Sequence, residues 1–291
     1  MLTIITTITQ ELSMKLSIML FPFHGALSQG QIAPAALISE LKNAGATGIE
    51  PMWSWISKDP QNWQLLHQAA KDAGMACACY DVGVNLVGES PADRDQAVAT
   101  CLEQVAFARD VLNCSRMMIH GSRPAKDMSN EEGRQLYGKT LARIASGARG
   151  SGVTICIEDF GVYPLFTASA RHCREVLDIA GPDVGFTFDN GNFLLGGDVP
   201  TAIYQSMQAR ICHVHIKDMA AVPANEKASF AAPDGTGYRG CYLGMGDAKV
   251  DECLALLKQD GYDGWLSAEI NSAKLDEARH ALHYIAKTWQ Q

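Results

Sequence analysis

The amino-acid sequence predicts an α/β protein that folds as a single (β/α)8 barrel. Short apolar segments alternate with segments of helical periodicity eight times between residues 15 and 291. Strands that alternate with helices pair in parallel through the helical crossovers, and eight such units within roughly 250 residues are typical of the closed barrel. The competing doubly wound sheet usually carries a glycine-rich phosphate-binding turn, and neither GxGxxG nor GxxxxGK[ST] follows any predicted strand.

The strands are predicted where apolar segments end at glycine, proline or polar residues: 15–20, 47–53, 75–84, 115–122, 153–161, 184–192, 211–219 and 264–270. Helices are predicted between them, over 33–45, 62–74, 90–113, 129–152, 167–181, 198–210, 249–262 and 273–291. Gly45 and Gly74 are predicted to cap the C-terminal ends of the first two helices. Ser90 is predicted to cap the N-terminus of the third helix, with Pro91 as its first residue.

Two segments fall outside this alternation. Residues 1–14 lack the basic and apolar regions of a secretion signal, so we expect a disordered or strand-like N-terminal extension before a barrel domain over 15–291. Met14 directly precedes the first predicted strand and is a candidate alternative start of translation, so the sequence leaves Met1 and Met14 open as start sites. The segment 220–247, rich in Ala, Pro and Gly, exceeds the usual length of a connection, so we expect a lid loop there.

Composition excludes several classes of function. The net charge of −8 argues against nucleic acid as a partner, and no apolar run of 18 residues is present that would span a membrane. The nine cysteines are scattered and form no CxxC pair, so they are expected to be reduced thiols, as in a cytoplasmic protein.

Polar residues end most of the predicted strands: Glu50, Asp81, His120, Glu158, Asp189, His215 and Glu269. The C-terminal ends of the strands form the site of a (β/α)8 barrel, so these side chains are expected to share one bowl. Several carboxylates in one bowl repel each other unless a cation lies among them. Two Glu, one Asp and one His suit Mn²⁺, Mg²⁺ or Co²⁺ and tolerate Zn²⁺.

At these strand ends the chain resembles the xylose isomerase-like barrels, which include keto-sugar epimerases, hydroxypyruvate isomerase and inosose dehydratase. The resemblance lies in IEDFG, FDNGNF, HVHIKD, GMGDAKVD and GYDGWLSAEI, which follow one another in order along the chain. It implies one divalent metal ion with the ligands Glu158, Asp189, His215 and Glu269. It also implies that Glu158 and Glu269 are the catalytic acid/base pair, and that His120 and Lys217 contact substrate oxygens.

One position departs from the family pattern. Many relatives carry a histidine three residues after the aspartate of FDNGNF, where this chain has Asn192. An asparagine there still hydrogen-bonds a substrate but cannot titrate. The related DNA-repair endonucleases need further histidine ligands, and the chain lacks an Asp-x-His after the strand over 211–219.

Other polar and aromatic residues leave alternatives open. Glu50 either holds the sugar or anchors the rim of the barrel, and Trp53 and Trp55 either stack on a sugar ring or only cover the rim. Arg239 and Tyr238 in the predicted lid are expected to reach the substrate. His213 is expected one layer below His215, because alternate strand residues share a face. Four histidines on predicted helices are expected at the surface: His67, His172, His280 and His283.

The expected function is that of a sugar or sugar phosphate isomerase or epimerase that acts through an enediolate. The metal polarises the carbonyl, and a carboxylate removes the neighbouring proton. One alternative is a lyase of the inosose dehydratase type, and another is a non-catalytic sugar-binding barrel. The expected partner is a small carbohydrate, and the relatives suggest a homodimer or homotetramer.

Overall fold

The structure is a computed structural model that describes residues 14–291. The extension predicted over 1–14 lies outside the described residues, apart from Met14. The strands are β1 Lys15–Met19, β2 Gly48–Glu50, β3 Ala76–Cys77, β4 Tyr80–Gly83, β5 Arg116–His120, β6 Thr154–Glu158, β7 Val184–Asp189, β8 Ile211–Ile216, β9 Met219–Ala221, β10 Phe230–Ala231, β11 Gly237–Gly240 and β12 Trp265–Ala268. The helices are α1 His24–Ser28, α2 Pro34–Asn43, α3 Trp53–Lys58, α4 Pro60–Asp72, α5 Pro91–Asp110, α6 Asn130–Ala148, α7 Ala170–Ala180, α8 Asn192–Leu195, α9 Pro200–Met207, α10 Val250–Gln259 and α11 Leu275–Gln290.

Parallel strands form the barrel, as predicted. Their order is β3-β2-β1-β12-β8-β7-β6-β5-β4, so the first strand pairs with the last, with Lys15 opposite Trp265. The predicted third strand, 75–84, is interrupted after Cys77 and forms both β3 and β4. Since β3 bonds to β2 and β4 bonds to β5, this interrupted strand closes the ring.

The helices begin where the sequence provides caps. Ser90 and Ser129 each accept the backbone N–H of the third helical residue, and the acidic side chain at that position bonds back to the cap. These reciprocal bonds satisfy N–H groups that the first turn of a helix otherwise leaves without a partner. None of the helices in the described residues is both long and apolar enough to cross a membrane.

Two predicted elements differ from the structure. The predicted strand over 47–53 ends at Glu50, and Trp53 instead starts helix α3. The segment 220–247 contains β10 and β11, which form an antiparallel sheet with β9 in the order β10-β11-β9. These strands are two to four residues long, too short to show the alternation from which strands are predicted.

The histidine predictions for the helices are correct only in part. His283 is exposed, but His172 on α7 is buried, which makes its surface prediction wrong. The Nδ1 atom of His172 lies 2.8 Å from the Oγ of Ser169, the residue that caps the same helix.

Candidate metal centre

Four strand ends bring together the residues expected to hold a metal. Glu158 and Asp189 are the last residues of β6 and β7, His215 lies one residue before the end of β8, and Glu269 directly follows β12. Each side chain offers one ligand atom, and these atoms lie within 4.8 Å of one another. All four residues are buried, with at most 8% of their surface exposed.

Two atoms of this group are buried without a hydrogen-bond partner among the described residues. They are Asp189 Oδ2 and His215 Nδ1. The other oxygen of Asp189 accepts the backbone N–H groups of Gly191 and Asn192 at 2.8 and 3.0 Å, which fixes the carboxylate. His215 Nδ1 lies 3.5 Å from an oxygen of Glu158 and 3.5 Å from an oxygen of Glu269. Buried polar atoms are normally paired, so these orphaned ligand atoms fit a divalent cation.

Glu50 lies beneath this group and is fully buried. Its two oxygens lie 2.9 Å from His215 Nε2 and 3.0 Å from His213 Nε2. Glu50 is therefore shielded from the cavity, and neither of its expected places, against the sugar or in the shared bowl, fits this position. The Glu50 carboxylate on Nε2 fixes the ring of His215 so that Nδ1 faces the other three side chains. A carboxylate in this position is the usual outer partner of a metal-binding histidine. His213 lies below His215, as expected.

Lys217 is the cation of the site. Its Nζ lies 2.5 Å from Glu269 Oε1 and 3.8 Å from Asp189 Oδ2, and it donates to Asn192 Oδ1 at 3.1 Å. Burial alone would raise the pKa of Glu269, but the Lys217 ammonium and His215 outweigh burial and hold that pKa below its usual range. Burial raises the pKa of Asp189 well above its usual value, and Lys217 offsets this only in part. A further cation beside Asp189 would stabilise its ionised form.

The group opens into a cavity of about 460 Å³, which is lined by Glu158 and Glu269. His120, Lys217 and Asn192 also line this cavity, as the sequence led us to expect of substrate-binding residues. Burial lowers the pKa of His120, with Glu158 and Glu269 opposing the shift, so its ring is kept neutral. His120 Nε2 has no hydrogen-bond partner among the described residues.

Three residues that the sequence offered as substrate contacts are absent from the described lining of the cavity. Trp53 is not among the described residues that line the cavity, because it lies in α3 rather than at a strand end. Trp55 is buried in the core, with its ring 5.9 Å from that of Trp63. Arg239 is not among the described residues that line the cavity; its side chain is 58% exposed and lies 3.5 Å from Glu226.

Sequence reasoning missed several cavity residues and one anchoring residue. Phe160 and Asn271 line the cavity, and each lies two residues after a strand-end glutamate, which is the signal that could have identified them. Asp218 was also missed. Its carboxylate accepts the backbone N–H groups of Gly244, Gly246 and Ala248 at 2.9 to 3.2 Å, so it holds the segment GMGDA beside the site.

The sequence was also compared with protein families and with known proteins. A family model described as xylose isomerase-like TIM barrel matches residues 38–288. An inosose dehydratase from Lacticaseibacillus casei is 31% identical over 149 residues, which are 49% of this chain and 49% of that protein. The chain therefore spans about half the length of the curated relatives it matches.

Solved structures share the fold at low identity. The D-psicose 3-epimerase from Clostridium cellulolyticum H10, solved with D-tagatose, has a TM-score of 0.70 and 16% identity, over 95% of this chain and 99% of that one. A xylose isomerase-like TIM barrel protein from Mycobacterium smegmatis, in complex with magnesium, has a TM-score of 0.67 and 14% identity, over 95% and 96% of the two chains. Because the family model matches most of the sequence, this chain belongs to the xylose isomerase-like TIM barrel family.

Proposed function

We propose that the chain is a divalent-metal-dependent enzyme that removes the proton next to the carbonyl of a polyhydroxylated ketone. The observation that carries this proposal is the buried group of Glu158, Asp189, His215 and Glu269, with two orphaned ligand atoms, at the floor of an open cavity. A bound divalent ion supplies a Lewis acid for the carbonyl. A barrel that only bound sugar would not need two glutamates at such a centre.

The two glutamates have different surroundings, which suggests different roles. Within the described residues, Lys217 forms ion pairs with Glu269 and Asp189 but not with Glu158. A carboxylate that is neutralised by an ammonium is a weaker base and, once protonated, a stronger acid. We therefore assign Glu158 to the removal of the proton, which it then releases to solvent, and Glu269 to the delivery of a proton that it takes up from solvent. His120 and Asn192 are assigned to the hydroxyl groups of the substrate.

Proton removal gives an enediolate, which has two possible fates. Return of the proton to a carbon atom gives an isomer or epimer. Loss of the hydroxyl group on the next carbon, with a proton, releases water and leaves an unsaturated product. The first outcome is our proposal for this chain. The second has independent support, because the curated relatives at 31% identity are inosose dehydratases.

The first experiment measures metal content and proton exchange together. Protein purified without chelator is analysed by mass spectrometry for Mn, Mg, Co and Zn, as wild type and as Asp189→Ala. We expect about one ion per chain in the wild type and little in the variant. The loaded wild type should then exchange the carbon-bound protons of keto-sugars or inososes with deuterium from solvent. Absence of any metal from the wild type would overturn the proposal in favour of a sugar-binding barrel.

The product separates the two fates. A product of unchanged mass, apart from deuterium, indicates isomerisation or epimerisation, and loss of 18 mass units marks a dehydratase, as expected for release of one water. Glu269→Gln should still bind metal while turnover falls by about a hundredfold or more. Full activity of this variant would contradict the role of Glu269.

A further inference from the structure

The walls of the cavity differ in character from its floor. The floor is ionic, whereas the mouth is apolar: Phe21, Val162 and Phe230 are large side chains with 37% to 50% of their surface exposed, and all three line this one cavity. They come from three different parts of the chain. Phe21 follows β1, Val162 lies after β6, and Phe230 starts β10 of the small antiparallel sheet.

Such an arrangement is informative because exposed apolar side chains scattered singly need no explanation, whereas a group around a concave site indicates a ligand. Phe160, Leu195 and Ile270 continue the same apolar lining inward toward the two glutamates. A compact polyol that occupies the floor would leave these side chains uncovered. The cavity therefore has an outer compartment suited to a non-polar group.

The charge balance points in the same direction. Lys217 is the only lysine or arginine among the described residues that line the cavity, and it already pairs with Glu269 and Asp189. With a divalent ion bound, the three carboxylates are neutralised by the ion and the lysine together. No lysine or arginine of the lining is left to bind a phosphate. The N–H groups of Gly191 and Asn192 at the start of α8 already bond to Asp189, so this helix terminus is not free for a phosphate either.

We propose that the substrate of this site is an uncharged polyhydroxylated ketone that carries an apolar substituent, with the polyol on the ionic floor and the substituent between Phe21, Val162 and Phe230. This inference rests on the proposed function, because it assigns the polyol to the metal centre. It excludes sugar phosphates, which composition and motifs had left open.

The test uses three probes that differ only at one carbon: D-fructose, its 6-O-benzyl ether and its 6-phosphate. Calorimetry on the magnesium-loaded protein gives the affinity of each. Burial of a phenyl group is expected to make the benzyl ether bind about tenfold tighter than fructose or more. The phosphate is expected to bind more weakly than fructose. Solvent deuterium exchange is recorded for the same three compounds.

Variants show where the substituent lies. Phe230→Ser should reduce the ratio of benzyl ether affinity to fructose affinity by several-fold, because it removes one wall of the outer compartment. Leu65→Ala is the matched control, since Leu65 is an exposed apolar residue on α4 outside the cavity lining, and it should leave this ratio unchanged.

The outcomes separate the two proposals. Tighter binding of the ether without any deuterium exchange supports the substrate class and counts against the proposed reaction. Exchange with fructose or its phosphate, but no preference for the ether, overturns the substrate class and leaves the reaction standing. Failure of the ether to bind at millimolar concentration also overturns the substrate class.

Discussion

The orientation of a single ring decides whether the four strand-end residues form one site. His215 has two nitrogens, and Glu50 occupies the one that faces the interior of the barrel. The other nitrogen therefore faces Glu158, Asp189 and Glu269 without a partner. The strand-end pattern yielded seven candidate residues, and the resemblance to the xylose isomerase-like barrels selected these four as metal ligands. Neither could identify the partner of His215, because Glu50 lies 165 residues away and the contact depends on packing inside the closed barrel.

Glu50→Gln tests this arrangement. The amide keeps the shape of the side chain but presents an NH2 group to one of the two histidine N–H groups, so one hydrogen bond is lost. Changes of this kind in the outer partner of a metal ligand typically weaken metal affinity by about 10- to 100-fold. We expect that loss in a competition titration against a fluorescent chelator. Glu103→Gln, an exposed residue of α5, is the control, and equal affinity of the two variants would contradict the role of Glu50.

At the scale of elements, the long connection after β8 is the least predictable part of the site. Its strands are too short for periodicity, yet they place Phe230 at the mouth of the cavity. Its second half is held by one carboxylate, since Asp218 accepts backbone N–H groups from Gly244, Gly246 and Ala248. Gly246 must remain glycine for this contact, because a Cβ there would lie 2.3 Å from Asp218 Oδ1.

Asp218→Ala should therefore loosen this connection and destabilise the protein. Three buried or half-buried N–H groups lose their acceptor, and each unsatisfied group costs about 1–3 kcal/mol where water cannot replace it. We expect a lower midpoint in urea and faster amide hydrogen exchange over residues 241–249. Asp178→Ala is the control, because Asp178 is an exposed residue of α7. Unchanged exchange in the variant would show that the carboxylate does not anchor the connection.

For the whole molecule, the sequence was sufficient to predict the barrel but not how it closes. Eight alternating units predict eight strands, and these are present. The third strand, however, is divided into β3 and β4, with Ala78 donating to Ile49 and Asp81 donating to Pro51 across the junction. Backbone pairing of this kind depends on the curvature of the sheet, which leaves no signal in the pattern of apolar residues.

A cation that binds the ends of four neighbouring strands, whose ligands are far apart in the sequence, should stabilise the whole barrel. Binding to the folded state alone adds about 2.7 kcal/mol at a free-ion concentration of about 100 Kd. We therefore expect the Tm measured by calorimetry to rise by several degrees when Mn²⁺ or Mg²⁺ is added to chelator-treated wild type. Asp189→Ala should show no such rise. An equal rise in both proteins would mean that the ion binds elsewhere.

The pairing of β1 with β12 also has a consequence for biosynthesis. Lys15 and Trp265 are neighbours in the sheet, and Glu269, the last of the four residues at the metal centre, follows four residues after Trp265. While the ribosome is still translating the first two hundred residues, the nascent chain has neither a closed barrel nor a complete set of ligands. Domains fold as their sequence emerges, but this one must delay closure until its final strand is available. Binding of the proposed ion would therefore be a late event, open to competition between the metals present in the cell at that moment.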